Sequence, residues 1–135
     1  MTKRSKFMTR AEVRQWFDPI RKCLRQMREG YADSINGYVV TQLGWGDDYA
    51  KVDECIRGWR EACARMVPDS DMLPLLRLEK KLANGVMLTH KEIDDGLALL
   101  NQFESKLIRV PRERIRDAVN TQLIAIEFEQ MGIAA

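Results

Sequence analysis

The sequence predicts an all-α fold: a single-domain bundle of five to six helices, with room for a small β-hairpin near residues 35–43. Three observations predict it. Apolar residues recur at helical spacing along most of the chain. Its 4 Pro and 8 Gly fall mostly where helices start or stop. The links between periodic segments are short, which favours antiparallel neighbours in a bundle. With 135 residues, 45% hydrophobic and 31% charged, the chain is long enough for one core and leaves little room for a second domain. Residues 1–8 read as a flexible basic tail and 9–135 as the helical domain.

The first helix opens at Thr9. Thr9-Arg10-Ala11-Glu12 has the S/T-x-x-E spacing of a capping box, in which two side chains satisfy each other's backbone amides. Val13, Trp16, Ile20, Cys23, Leu24 and Met27 then follow at helical spacing. Pro19 interrupts, either as a fresh start after Asp18 or as a kink. The apolar phase carries through it, which favours two coaxial or slightly kinked pieces ending at Gly30.

Residues 30–48 are irregular. Asn36-Gly37 is a turn dipeptide, and Tyr38-Val39-Val40-Thr41 follows with high β propensity. A hairpin and a single extended segment are both compatible with it. Asp47 or Asp48 caps the next helix, about 49–66, with Val52, Cys55, Ile56, Trp59, Cys63 and Met66 inward. A Leu-rich helix spans about 71–84, with Pro74 in its first turn and Gly85 at its end. Thr89-His90-Lys91-Glu92 is a second capping box. It opens a helix to about Leu107, with Ile93, Leu97, Leu100, Phe103 and Leu107 inward. The last helix, about 111–130, turns Ile115, Val119, Leu123 and Ile126 inward. Ile124 and Phe128 fall on another side, so this helix is either central to the core or contributes to a homodimer seam.

Charge is the clearest functional signal. The chain carries net +2, with 22 Lys+Arg and 20 Asp+Glu. That balance excludes a chain that is polybasic or acidic throughout. Residues 1–30 nevertheless hold nine Lys and Arg against three acids, while the remainder is net acidic. On an ideal helix Arg10, Arg14, Arg21, Arg25 and Arg28 fall within about 60° of arc, opposite the apolar stripe. Their planar forks suit carboxylates and phosphates. A docking face for an anionic partner is one reading; a solvated helix face, neutralised by acids on neighbouring helices, is the other. Tyr31, Tyr38 and Trp45 lie in the 30–48 segment with Tyr49 just after it, and aromatic residues are common anchors of binding surfaces. They equally suit the open end of a bundle.

No catalytic constellation, cofactor motif or metal-ligand cluster emerges. His90 is the only histidine, and Asp94 one turn on makes at most a two-ligand face. Cys23, Cys55 and Cys63 lie on apolar faces with no C-x-x-C. Three Cys point to a reducing, cytoplasmic setting. No apolar run approaches the ~18 residues that span a bilayer. The expected function is therefore a non-enzymatic interaction or regulatory protein docking an acidic protein surface through the Arg-rich first helix and the aromatic loop. Backbone contacts to nucleic acid through the same stripe are the second reading, and a small helical enzyme without a local motif is the third.

Overall fold

A computed structural model describes residues 6–29, 38–40 and 49–132. Five helices form among them: α1 (Arg10–Arg28), α2 (Val52–Met66), α3 (Leu73–Ala83), α4 (His90–Leu107) and α5 (Arg112–Gln130). Two three-residue strands, β1 (Tyr38–Val40) and β2 (Tyr49–Lys51), pair antiparallel, with Val39 opposite Ala50. Of the expected 35–43 hairpin only 38–40 is described, and its partner strand, Tyr49–Lys51, lies beyond that range; Asn36-Gly37 lies outside the described residues. β2 also moves the start of α2 from 49 to Val52.

Both capping boxes form. Glu12 N–H donates to Thr9 Oγ1 and Thr9 N–H to Glu12 Oε1; Thr89 and Glu92 repeat the pattern. Helix α1 is one element rather than two. Pro19 lacks the N–H that would reach the Gln15 carbonyl, but Gln15 is exposed, so water can serve that group. Helix α3 ends in a Schellman motif. Val86 N–H reaches Lys81 O and Gly85 N–H reaches Leu82 O, with Gly85 at φ +68°. A side chain there would be strained, so glycine is the residue that fits.

Helices α1, α2, α3 and α4 pack as a ring in which each touches the next and α4 closes onto α1; α5 lies against α2. The core inside the ring includes Val13, Phe17, Ile20 and Leu24 of α1, Ile56 and Cys63 of α2, Leu75 and Leu78 of α3, and Ile93, Leu100, Phe103 and Leu107 of α4. Phe17, which the apolar spacing of α1 above does not include, is fully buried. Gly96 is buried where α4 crosses α3, and a Cβ there would overlap the Leu78 side chain. The inward face of α4 includes Leu99, with Leu97 only half-buried.

The last part of the expected tail is tied down. Phe7 pairs with Pro111, and Arg112 N–H donates to Lys6 O. Lys6 and Phe7 are thus held against the start of α5; residues 1–5 lie outside the described residues. Arg112 also grips Glu12 with two bonds of 2.8 Å, joining the starts of α1 and α5.

These contacts make stability sensitive to acid. Arg112 and the capping amide of Thr9 hold the Glu12 carboxyl at about 2. Lys81 and Thr89 do the same for Glu92. Both carboxyls titrate nearer 4.5 once unfolded. The unfolded chain therefore binds protons first, and stability falls as pH drops from about 4.5 towards 2. The thermal midpoint should fall steadily across that window, and Glu12→Gln, which removes one of the two groups, should flatten the fall.

Candidate functional site

The Arg-rich side of α1 forms one wall of an open groove of about 880 Å³, with α4 as the other wall. Arg10, Arg14, Asp18, Lys22 and Arg25 line it from α1, and Asn101, Glu104 and Ser105 from α4.

Glu104 sits at the bottom of the groove and is buried. Arg14 Nε donates to its Oε1 at 3.0 Å, and Arg21 Nη2 donates to its Oε2. Arg21 is itself buried. It also donates to Asn101 Oδ1 and Asp18 Oδ1, both at 3.1 Å, and its guanidinium lies 5.9 Å from the centre of the Phe17 ring. Burial pushes the Glu104 carboxyl up, but the two guanidiniums outweigh it and hold it below its ordinary value. Outside the groove lining, Arg28 in the last turn of α1 grips Asp94 through Nε and Nη2, at 2.7 and 3.2 Å.

The five-arginine stripe thus divides. Arg21 is a structural cation inside the α1–α4 seam. Arg28 is taken by Asp94, and Arg14 spends its Nε on Glu104. Arg10 and Arg25 make no ion pair among the described residues, and neither does Lys22. The α1 sequence also holds an acidic partner for its own stripe, since Asp18 pairs with Arg21 one turn away. Of the aromatic cluster, Tyr31 and Trp45 lie outside the described residues, and Tyr38 and Tyr49 belong to the backbones of β1 and β2.

Besides Asp18, Lys22 and Asn101, the arginine stripe leaves out the central acid of this site, Glu104. Its signal was an acid at helical spacing between Leu100 and Leu107, inside an otherwise apolar face. Phe17 carries the matching signal on α1: it extends the buried arc towards the arginines, until Arg21 borders it.

Other chemistry is sparse. Asp94 takes two bonds from Arg28, with His90 acting on the same carboxylate through charge alone. Among the described residues no group of three His, Cys, Asp or Glu is placed to hold a metal ion. Burial pushes the Cys55 thiol up to about 12 and raises Cys63 and Cys23 as well. Raised thiols are poor nucleophiles. The α2–α5 seam is polar. Arg57 binds Glu61 and Glu129, and buried Gln122 donates to Glu61 at 2.7 Å while its own carbonyl oxygen meets no donor. Ile124, Phe128 and Met131 are exposed along the outer side of α5. Among the described residues no helix is long and apolar enough to cross a membrane.

Comparison with family models, with curated proteins and with solved structures finds no match.

Proposed function

We propose that this protein works without catalysis, as an interaction protein that takes an acidic protein partner onto the α1 side of the α1–α4 groove. One observation carries the reading. Arg10, Lys22 and Arg25 stand on one groove wall without an ion pair among the described residues, beside an Arg14 whose terminal nitrogens make no bond there. A partner carboxylate can therefore be bound without first breaking an internal pair at three of these four positions.

The mix of signs favours protein over nucleic acid. Asp18 and Glu29 line the same groove, and a uniform row of phosphates would meet both. Three or four cations also supply few phosphate contacts, and non-specific binding grows with their number.

The test is titration with polyglutamate and with a short DNA duplex at about 50 and 200 mM salt. The triple variant Arg10→Glu, Lys22→Glu, Arg25→Glu is run beside the parent; it leaves Arg14 and Arg21 in place because Glu104 needs them. Polyglutamate should bind the parent and fail to bind the variant, with duplex binding weaker throughout. Tighter duplex binding with a steep salt slope would transfer the groove to nucleic acid. Polyglutamate binding that is absent, or equal in parent and variant, would overturn the reading.

A further inference from the structure

Resting on the docking face just proposed, we infer that the partner enters the groove as an extended segment of about seven residues, read by the order of its charges. Arg10, Arg14, Asp18 and Lys22 are spaced by four and all line the groove, so they form one oblique ridge on α1 that turns about 40° at each step. At 1.5 Å per residue the row advances in steps of about 6 Å. In an extended chain, side chains on one side repeat every two residues, about 6.6 Å apart. The two repeats stay in step over the full row of about 18 Å.

The signs along the row are plus, plus, minus, plus. Arg10 and Lys22 make no ion pair among the described residues. Arg14 is more than half exposed, as is Asp18, whose Oδ1 accepts from Arg21. A matching segment presents acid, acid, base and acid at alternate positions. The backbone can run either way, since the row is read only through side chains.

An extended heptapeptide meets these steps with four alternate residues and leaves the other three facing away from the row.

The experiment uses the full chain and two capped heptapeptides of equal composition. One is Glu-Ser-Glu-Ser-Lys-Ser-Glu; the other, Lys-Ser-Glu-Ser-Glu-Ser-Glu, mismatches the row in both directions. Binding is followed by NMR through the α1 backbone amides and the arginine Nε–H signals at low salt. The first peptide should bind about tenfold more tightly, the ratio expected from a few exposed pairs made or lost together. Asp18→Lys should abolish that preference and favour Glu-Ser-Glu-Ser-Glu-Ser-Glu. Equal affinity for the two peptides, with both lost in the Arg10, Lys22, Arg25 charge-reversal variant, would overturn the charge-order inference and leave the acidic partner standing. No shift in α1 from any acidic peptide would overturn both.

Discussion

Replacing Arg21 with alanine should lower the stability of the protein by about 3–5 kcal/mol, because it strips a buried carboxylate of its principal cation. Arg21 and Glu104 are only 5% and 4% exposed. Arg14 would remain on Glu104, but its exposed guanidinium is shared with water and supplies one hydrogen bond through Nε. Asn101 and Asp18 would each lose a donor as well. Since domains of this size have about 5–15 kcal/mol in total, urea unfolding would register the loss as a large shift in midpoint. The double replacement Arg21→Met with Glu104→Leu separates burial of charge from loss of packing. It removes both ions together, and apolar substitutes for buried pairs are often neutral or stabilising. It should therefore recover most of the stability that Arg21→Ala loses. A cost below about 1 kcal/mol for Arg21→Ala would place the pair in water and return Arg21 to the docking face.

This pair also marks the boundary of what the sequence could reveal. A capping box is closed within four residues, so Thr9–Glu12 and Thr89–Glu92 could be read locally. The apolar faces of α2 and α3 follow from 3.6-residue spacing for the same reason, and Pro74 and Gly85 mark ends by their own backbone limits. Arg21 and Glu104 are 83 residues apart. Which side of α1 meets which side of α4 depends on how the ring closes, and no local pattern encodes that. The five arginines do share one side of a helix, but sharing a side does not decide which of them a neighbouring helix covers. Arg21 stands beside Phe17, at the edge of the buried arc, and is covered. Lys22 and Arg25 point further out. Asp94 pairs with Arg28 because the last turn of α1 passes the first turn of α4, a contact that the His90–Asp94 spacing does not encode.

Truncating Trp59 to alanine should cost about 3–5 kcal/mol, matching the charge pair by a different mechanism. The backbones of α1 and α2 meet at few points, so side chains must fill the space between them. Trp59 fills it. Its ring stacks on Trp16 at 5.2 Å and 17°, and meets Phe17 edge-on at 5.2 Å and 70°. Phe17 in turn leans on Phe103 of α4 at 6.3 Å, so one aromatic chain crosses from α2 through α1 to α4. Such ring pairs add about 0.5–1.5 kcal/mol beyond the area they bury. Truncation removes the ring, leaves a cavity and breaks both pairs, whereas Trp59→Phe retains one ring and should cost roughly half as much. Trp16 is only half-buried, so Trp16→Ala loses one stacked pair and little cavity, about 1–2 kcal/mol. Denaturant unfolding followed by far-ultraviolet circular dichroism checks the order, since each change also alters tryptophan fluorescence. If Trp59→Ala cost no more than Trp16→Ala, the α1–α2 seam would not be held by this ring. The Arg14 and Lys22 side of the groove would then lose one support of its row of charges, and α1 would be held chiefly through α4 and the Glu12–Arg112 pair.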